Sequence, residues 1–256
     1  MFVLPESLAV IVSDASLLAV SEELASRLGV PVMESTDLSS IATRNFFLCY
    51  RQGCLKLLDK QSLKNGGLMV EIEPRPGEQH SYPAPKKDLL AYAIGKKTNT
   101  VIDATTGWAQ DSLAIFRMGY ELQCLERSPV MSELIRDGFK RLAQKEWMLN
   151  RQLQPPKLMA GNAIELLGNL PEKPDCIYLD PMFPPKRKKS ALSKKNMMVL
   201  RDILGDDEDR ADLFAAAMQA TAKRVVVKSP DYAEPLGGKP SECYQGKLLR
   251  YDVYIK

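Results

Sequence analysis

Apolar residues along the chain come in short runs separated by polar stretches, and the spacing of those runs changes part-way along. In the first third, residues 10–12, 46–50, 55–58 and 68–72 are compact apolar runs of strand length. Between the first two, residues 15–28 carry a helical pattern, with Asp14 placed to cap its start and Gly29 to stop it. Strand, helix, then several strands predicts a small α+β lobe over residues 1–73. Residues 74–87 contain Pro74, Pro76, Pro83 and Pro85, so no helix or central strand passes through them. Residues 74–99 therefore read as a proline-rich linker with a lead-in helix. From Thr100 onward, strand-like segments at 101–104, 121–125, 158–160, 176–180, 225–227 and 248–255 alternate with segments of 3.6-residue period. One of these, with Val130, Leu134, Ile135, Phe139 and Leu142, begins at Pro129, a residue suited to a first helical turn. That alternation predicts a mostly parallel α/β sheet with helices on both faces over residues 100–256.

Composition narrows the class. With 45% hydrophobic residues, 26% charged and a net charge of +3 in 256 residues, the chain has ample apolar material for a core and is not disordered as a whole. No run approaches the roughly 18 apolar residues of a spanning helix. The N-terminus MFVLPESLAVIV lacks a basic leader and a small-residue cleavage site. The five cysteines are odd in number and form no C-x-x-C, and His80 is the single histidine. The expectation is a cytoplasmic protein without a metal site.

Candidate chemistry lies at the strand ends. Open parallel sheets bind ligands beyond the carboxyl ends of their strands, where strand order reverses. Three such ends carry acids here, Asp103, Glu126 and Asp180. Glu126 follows Asp103 at the strand–helix–strand distance at which an acid meets ribose hydroxyls. The first loop, DATTGWAQD, holds only Gly107 and is not G-x-G-x-x-G, which disfavours a pyrophosphate-binding dehydrogenase. A nucleotide-like cofactor site fits these acids; the plainer alternative is that they cap helices and Gly107 merely turns the chain.

The sharpest motif is Asp180-Pro181-Met182-Phe183 after a buried-looking strand. It is close to the D/N-P-P-Y/F/W motif of methyltransferases acting on amino nitrogens, with Met182 in place of proline. The lone pair of an exocyclic base amine is delocalised into the ring. A carboxylate accepting its N–H hydrogens turns that pair toward a methyl donor, which is catalysis by orientation. In this reading Asp180 orients the amine, Pro181 fixes the chain and Phe183 offers a face to a base drawn from its stack. A plain turn is the alternative. The chain continues with Lys186, Arg187, Lys188, Lys189, Lys194 and Lys195, a basic run suited to RNA phosphates or simply a solvated face.

Taken together, DATTGWAQDS, LERSP, LDPMFP with its trailing lysines, and KRVVVKSPDYAEPL resemble the ribosomal RNA small subunit methyltransferase J family. The resemblance is close over about residues 100–255 and loose before them. It implies a Rossmann-like class I methyltransferase sheet and S-adenosylmethionine as cofactor. The implied activity is methylation of a guanosine N2 in 16S rRNA, the partner being that RNA or the assembled small subunit. It places Gln110, Asp111, Glu126, Arg127, Gly161, Asn162 and Asp180 on the cofactor, with Glu126 at the ribose; Asp103 and Gly107 join them as strand-end candidates. The first loop departs from the family pattern, reading T-G-W-A-Q-D where that pattern is A-G-L-G-R-D, and His80 lies among prolines rather than before a basic, glycine-rich stretch. Tyr232 either walls the base pocket or packs, and Trp108 either covers the cofactor or packs the first helix; neither is counted among the site residues. Rival readings are another acceptor, whether a different RNA base amine or a protein amide, and an RNA-binding assembly factor without transfer activity.

Overall fold

The computed structural model describes residues 8–34, 44–60, 62–63, 66–74, 81–183 and 209–256. In chain order the first elements are β1 (Leu8–Val12), α1 (Leu18–Leu28), β2 (Val32–Glu34), β3 (Phe46–Arg51), β4 (Cys54–Asp59) and α2 (Leu89–Ile94). Then come β5 (Thr100–Asp103), α3 (Gln110–Arg117), β6 (Glu121–Glu126), α4 (Pro129–Ala143), α5 (Glu146–Asn150) and β7 (Lys157–Ala160). The last are α6 (Ala163–Gly168), β8 (Cys176–Leu179), α7 (Arg210–Ala220), β9 (Arg224–Pro230), β10 (Glu242–Gln245) and β11 (Leu249–Ile255). The chain forms two compact units, Met1–Ile72 with Ser128–Pro155, and Glu73–Arg127 with Pro156–Lys256.

The first unit is a four-stranded sheet in the order β2-β1-β3-β4, parallel except for the β3–β4 hairpin. Asp14 caps a short 3-10 turn that leads into α1, and Gly29 ends α1 in a left-handed conformation at φ 65°. Helix α4 starts with Pro129 at its first turn, capped by the Ser128 hydroxyl, and packs on β4. Two strands differ from the sequence reading. Strand β2 is only three residues, too short for its alternation to show. Residues 68–72 form no strand of their own: Leu68 meets Leu57 at a single bridge, just after Gly66 and Gly67 at positive φ.

The second unit carries a seven-stranded sheet in the order β10-β11-β9-β8-β5-β6-β7. Strands β7, β6, β5, β8 and β9 are parallel, and β11 runs antiparallel to β9 and to β10. This is the mostly parallel α/β sheet expected from the alternation, in the Rossmann-like form that the resemblance implies. Its central strands are buried on both faces, which is why they read as unbroken apolar runs: all four residues of β8 are buried, as are Val225, Val226 and Val227 of β9. Leu213, Ala217 and Ala220 of α7 share one apolar cluster with Ile102, Ile177 and Val225. Strand β10, with the polar sequence ECYQ at the sheet edge, gave no apolar signal. Chain order reverses between β5, whose other neighbour is β6, and β8, so the carboxyl ends of these strands converge on one crevice.

Candidate functional site

Three strand-end acids arrive at that crevice with different partners. Asp103 ends β5 and is 1% exposed. Its carboxylate accepts from the Thr105 amide at 3.0 Å and from the Ser112 hydroxyl. Burial pushes its pKa up to about 7, against the opposing pull of those two hydrogen bonds. Glu126 ends β6 and accepts the Gly107 amide at 2.9 Å, so the first loop is tied to the second strand. Neither acid caps a helix; Ser128 does that for α4. Asp180 follows β8, and its amide donates to the Thr105 hydroxyl at 2.6 Å.

A lysine joins two of the site's carboxylates. Lys228 of β9 lies 2.6 Å from Asp111 and 2.8 Å from Asp180. Burial alone would lower its pKa, but the Asp180 and Asp111 carboxylates more than offset this and hold the ammonium charged. The Tyr178 hydroxyl, fully buried on β8, also donates to Asp111 at 2.6 Å. Burial pushes that phenol well above its ordinary pKa, so it remains a donor. Side chains from α3, β8, β9 and the loop after β8 thus form one hydrogen-bonded cluster.

Two adjoining clefts open on this cluster. One, of about 570 Å³, is lined by Leu125, Glu126, Arg127, Asn162, Ala163 and Ile164 among others. The second, of about 1100 Å³, is lined by Asp103, Gln110, Asp111, Pro181, Phe183 and Lys228 among others. Thr105, Gly107, Asp180 and Met182 line both. An elongated ligand with an adenosine at one end and an amino acid at the other fits such a pair. Glu126 and Asn162 stand on the first cleft, Gln110 and Asp111 on the second, and Asp180 at the join.

The structure therefore brings Asp103, Gly107, Gln110, Asp111, Glu126, Arg127, Asn162, Asp180, Pro181 and Phe183 to these clefts. Arg127 also meets Asp209 at 3.4 Å, and the Asn162 carboxamide caps α6 through the Ile164 amide. Gly161 lines neither cleft; its amide donates to the Glu126 carbonyl at 2.9 Å. Phe183 is 9% exposed and belongs largely to the apolar cluster beneath α7. Lys186, Arg187, Lys188, Lys189, Lys194, Lys195 and His80 lie outside the described residues. Among the described residues no group of three or more His, Cys, Asp or Glu is placed to hold a metal. Sequence reasoning missed Lys228, Tyr178, Thr105 and Ser112. Lys228 did carry a signal, a charged residue directly after three core valines of one strand.

A family model described as "Putative SAM-dependent methyltransferase" matches residues 31–256. The chain belongs to this SAM-dependent methyltransferase family. Its cofactor is S-adenosylmethionine, which accords with an acid-lined crevice at the strand-order reversal. The chain is 37% identical to ribosomal RNA small subunit methyltransferase J of Shewanella amazonensis, the match covering 86% of this chain and 90% of that protein. With the protein of the same name from Coxiella burnetii it is 33% identical over 98% of this chain and 97% of the relative. A solved SAM-dependent methyltransferase from Neisseria gonorrhoeae superposes with a TM-score of 0.68 at 25% identity, covering 96% of this chain and 95% of that one. No helix among the described residues of this methyltransferase is long and apolar enough to cross a membrane.

Proposed function

We propose that this methyltransferase modifies the exocyclic N2 of a guanosine in small-subunit ribosomal RNA, acting in the cytoplasm on the naked RNA or on the assembled subunit. The observation that carries the reading is the position of Asp180. It follows β8 in the D-P-M-F sequence, lines both clefts and is tied to Thr105 and Lys228. The names of the relatives support the choice of RNA.

S-adenosylmethionine supplies an electrophilic methyl group on a sulfonium. In this reading Glu126 accepts from the ribose hydroxyls, and the loop at Asn162 walls the adenine end. Gln110 and Asp111 face the amino-acid end. Asp180 accepts the N–H of the target amine and turns its lone pair toward the methyl carbon; a carboxylate has acceptor positions beyond the one Lys228 occupies. Once bound, S-adenosylmethionine would supply that methyl to the amine nitrogen and leave as S-adenosylhomocysteine, the bonding pair staying on sulfur. The surplus amine proton leaves along the Asp180 hydrogen bond toward the open cleft. Orientation in a fixed frame, rather than a strong base, is what these residues provide. Lys186, Arg187, Lys188, Lys189, Lys194 and Lys195 contact phosphates and position the strand.

The test is transfer of labelled methyl to unmodified small-subunit RNA by the wild type, Asp180→Ala and Glu126→Gln. The reading requires Asp180→Ala to lose transfer while keeping much of the RNA affinity, and Glu126→Gln to weaken the cofactor chiefly. Undiminished transfer by Asp180→Ala would sink the mechanism.

A further inference from the structure

Of the six large hydrophobic side chains exposed among the described residues, two line the second cleft, Tyr232 at 42% and Leu248 at 80% exposure. Both stand on fixed backbone. Arg250 of β11 is buried, and its Nε donates to Asp252 at 2.8 Å. Its remaining guanidinium hydrogens reach the carbonyls of Pro230 at 2.9 Å, Asp231 at 3.2 Å and Ala233 at 2.6 Å. Those carbonyls bracket Tyr232, so the turn that carries it is fastened to the sheet on both sides. Leu248 sits at the tip of the β10–β11 hairpin, which the Gly246 amide closes onto the Leu249 carbonyl at 2.8 Å. The Asp231 amide donates to the Leu248 carbonyl at 3.2 Å, joining the hairpin tip to the turn of Tyr232.

A buried arginine–carboxylate pair is costly to desolvate and brings little stability that apolar packing would not. What this pair secures is a rigid rim. The same cleft carries the polar groups of Asp111, Asp180 and Lys228 and, at Tyr232 and Leu248, an exposed aromatic ring and an exposed aliphatic side chain. A heteroaromatic base with an edge amine matches that combination. Its face lies on a ring, its amine reaches an acceptor, and an apolar wedge holds the neighbouring base where the extruded one was. Phe183, the stacking candidate of the motif, is nearly buried, whereas Tyr232 presents its ring.

We propose that Tyr232 and Leu248 form the clamp that receives the target base, Tyr232 as the stacking platform and Leu248 as the wedge, with Arg250 as the residue that positions them. This rests on the reading of an RNA base amine as acceptor.

The methylation product of the wild type locates the target nucleotide. Two RNA fragments follow, one intact and one abasic at that nucleotide, and their binding is measured by anisotropy in the presence of S-adenosylhomocysteine. Tyr232→Ala weakens binding of the intact RNA about 5- to 150-fold, the range for one base stacked on an aromatic ring, and leaves the abasic RNA unaffected. Tyr232→Phe restores the difference between the two RNAs. Leu248→Ala slows transfer to a base-paired target more than to the same target opposite a mismatch, because the mismatch lessens the work of extrusion. Equal losses by Tyr232→Ala on both RNAs, or no loss on either, would overturn the clamp. Absence of any wild-type transfer to ribosomal RNA overturns the underlying reading and the clamp with it.

Discussion

Replacing Lys228 with Met keeps most of the side-chain volume and removes the charge between two carboxylates. Asp111 and Asp180 then lose an ammonium at 2.6 and 2.8 Å. Removing one partner of a fully buried pair costs about 3–5 kcal/mol, and an exposed pair contributes at most about 1 kcal/mol. This cluster lies between those limits: the side chains of Lys228 and Asp111 are 21% and 12% exposed, whereas that of Asp180 is 38% exposed. The expected loss is about 2–3 kcal/mol, or roughly 4–12 °C in Tm for a chain of this length. Urea unfolding followed by tryptophan fluorescence gives the stability, and single-turnover methyl transfer gives the effect on chemistry. Transfer should fall more than stability at 25 °C explains, because Asp180 loses the group that fixes it. Lys228→Arg should retain most of both. Adding Asp111→Asn to Lys228→Met should recover part of the stability, since one of the two facing carboxylates is then neutral. Unfolding within about 0.5 kcal/mol of wild type, with transfer unchanged, would refute the reasoning.

Burial raises the Asp103 pKa from 3.8 to about 7, so the folded chain holds this proton more tightly than the unfolded one. Its contribution to stability is complete below about pH 4, is lost as pH rises to about 7 and is flat above. The urea midpoint of the wild type should therefore fall more between pH 5 and pH 8 than that of Asp103→Asn; equal falls would contradict the assignment. Ala109, wholly buried, holds φ 56° just before α3, where the family pattern has glycine. Ala109→Gly should leave the thermal midpoint unchanged or raised, while the β-branched Ala109→Val should cost more than about 2 kcal/mol. A Cβ on Gly138 would lie 2.6 Å from a Val70 methyl. Gly138→Ala should thus destabilise by about 1–3 kcal/mol, against the roughly 1 kcal/mol that helix propensity favours alanine. A rise in the calorimetric midpoint would show that Val70 yields easily.

Much of the architecture was legible because its causes are local. The buried strands β5, β8 and β9 announce themselves by apolar runs, and Pro129 and Gly29 mark helix ends by their own backbone chemistry. The strand-end acids Asp103, Glu126 and Asp180 could be placed near one another because a parallel sheet sends its carboxyl ends to one side. What stayed hidden depends on partners distant in sequence. Strand β10 is polar and short, and only its pairing with β11 defines it. The 3.6-residue period of α4 reveals an apolar face without revealing that the face packs on β4. The sequence marks Lys228 only as a charge directly after three core valines; its meaning comes from Asp111 and Asp180, brought to it by α3 and the loop after β8. The motif likewise gave Phe183 an aromatic face but no exposure, and Tyr232, open to two readings in the sequence, takes its weight from its exposure on the second cleft and the Arg250 hydrogen bonds around its turn.

The central claim is the acceptor, and the most direct measurement identifies the product. Purified protein, labelled S-adenosylmethionine and small-subunit RNA lacking its modifications, offered naked and as assembled subunits, are incubated, and the digested nucleosides are resolved by mass. Label is expected in N2-methylguanosine from at least one of the two forms. Label in a different nucleoside, or none in either form, would contradict the claim.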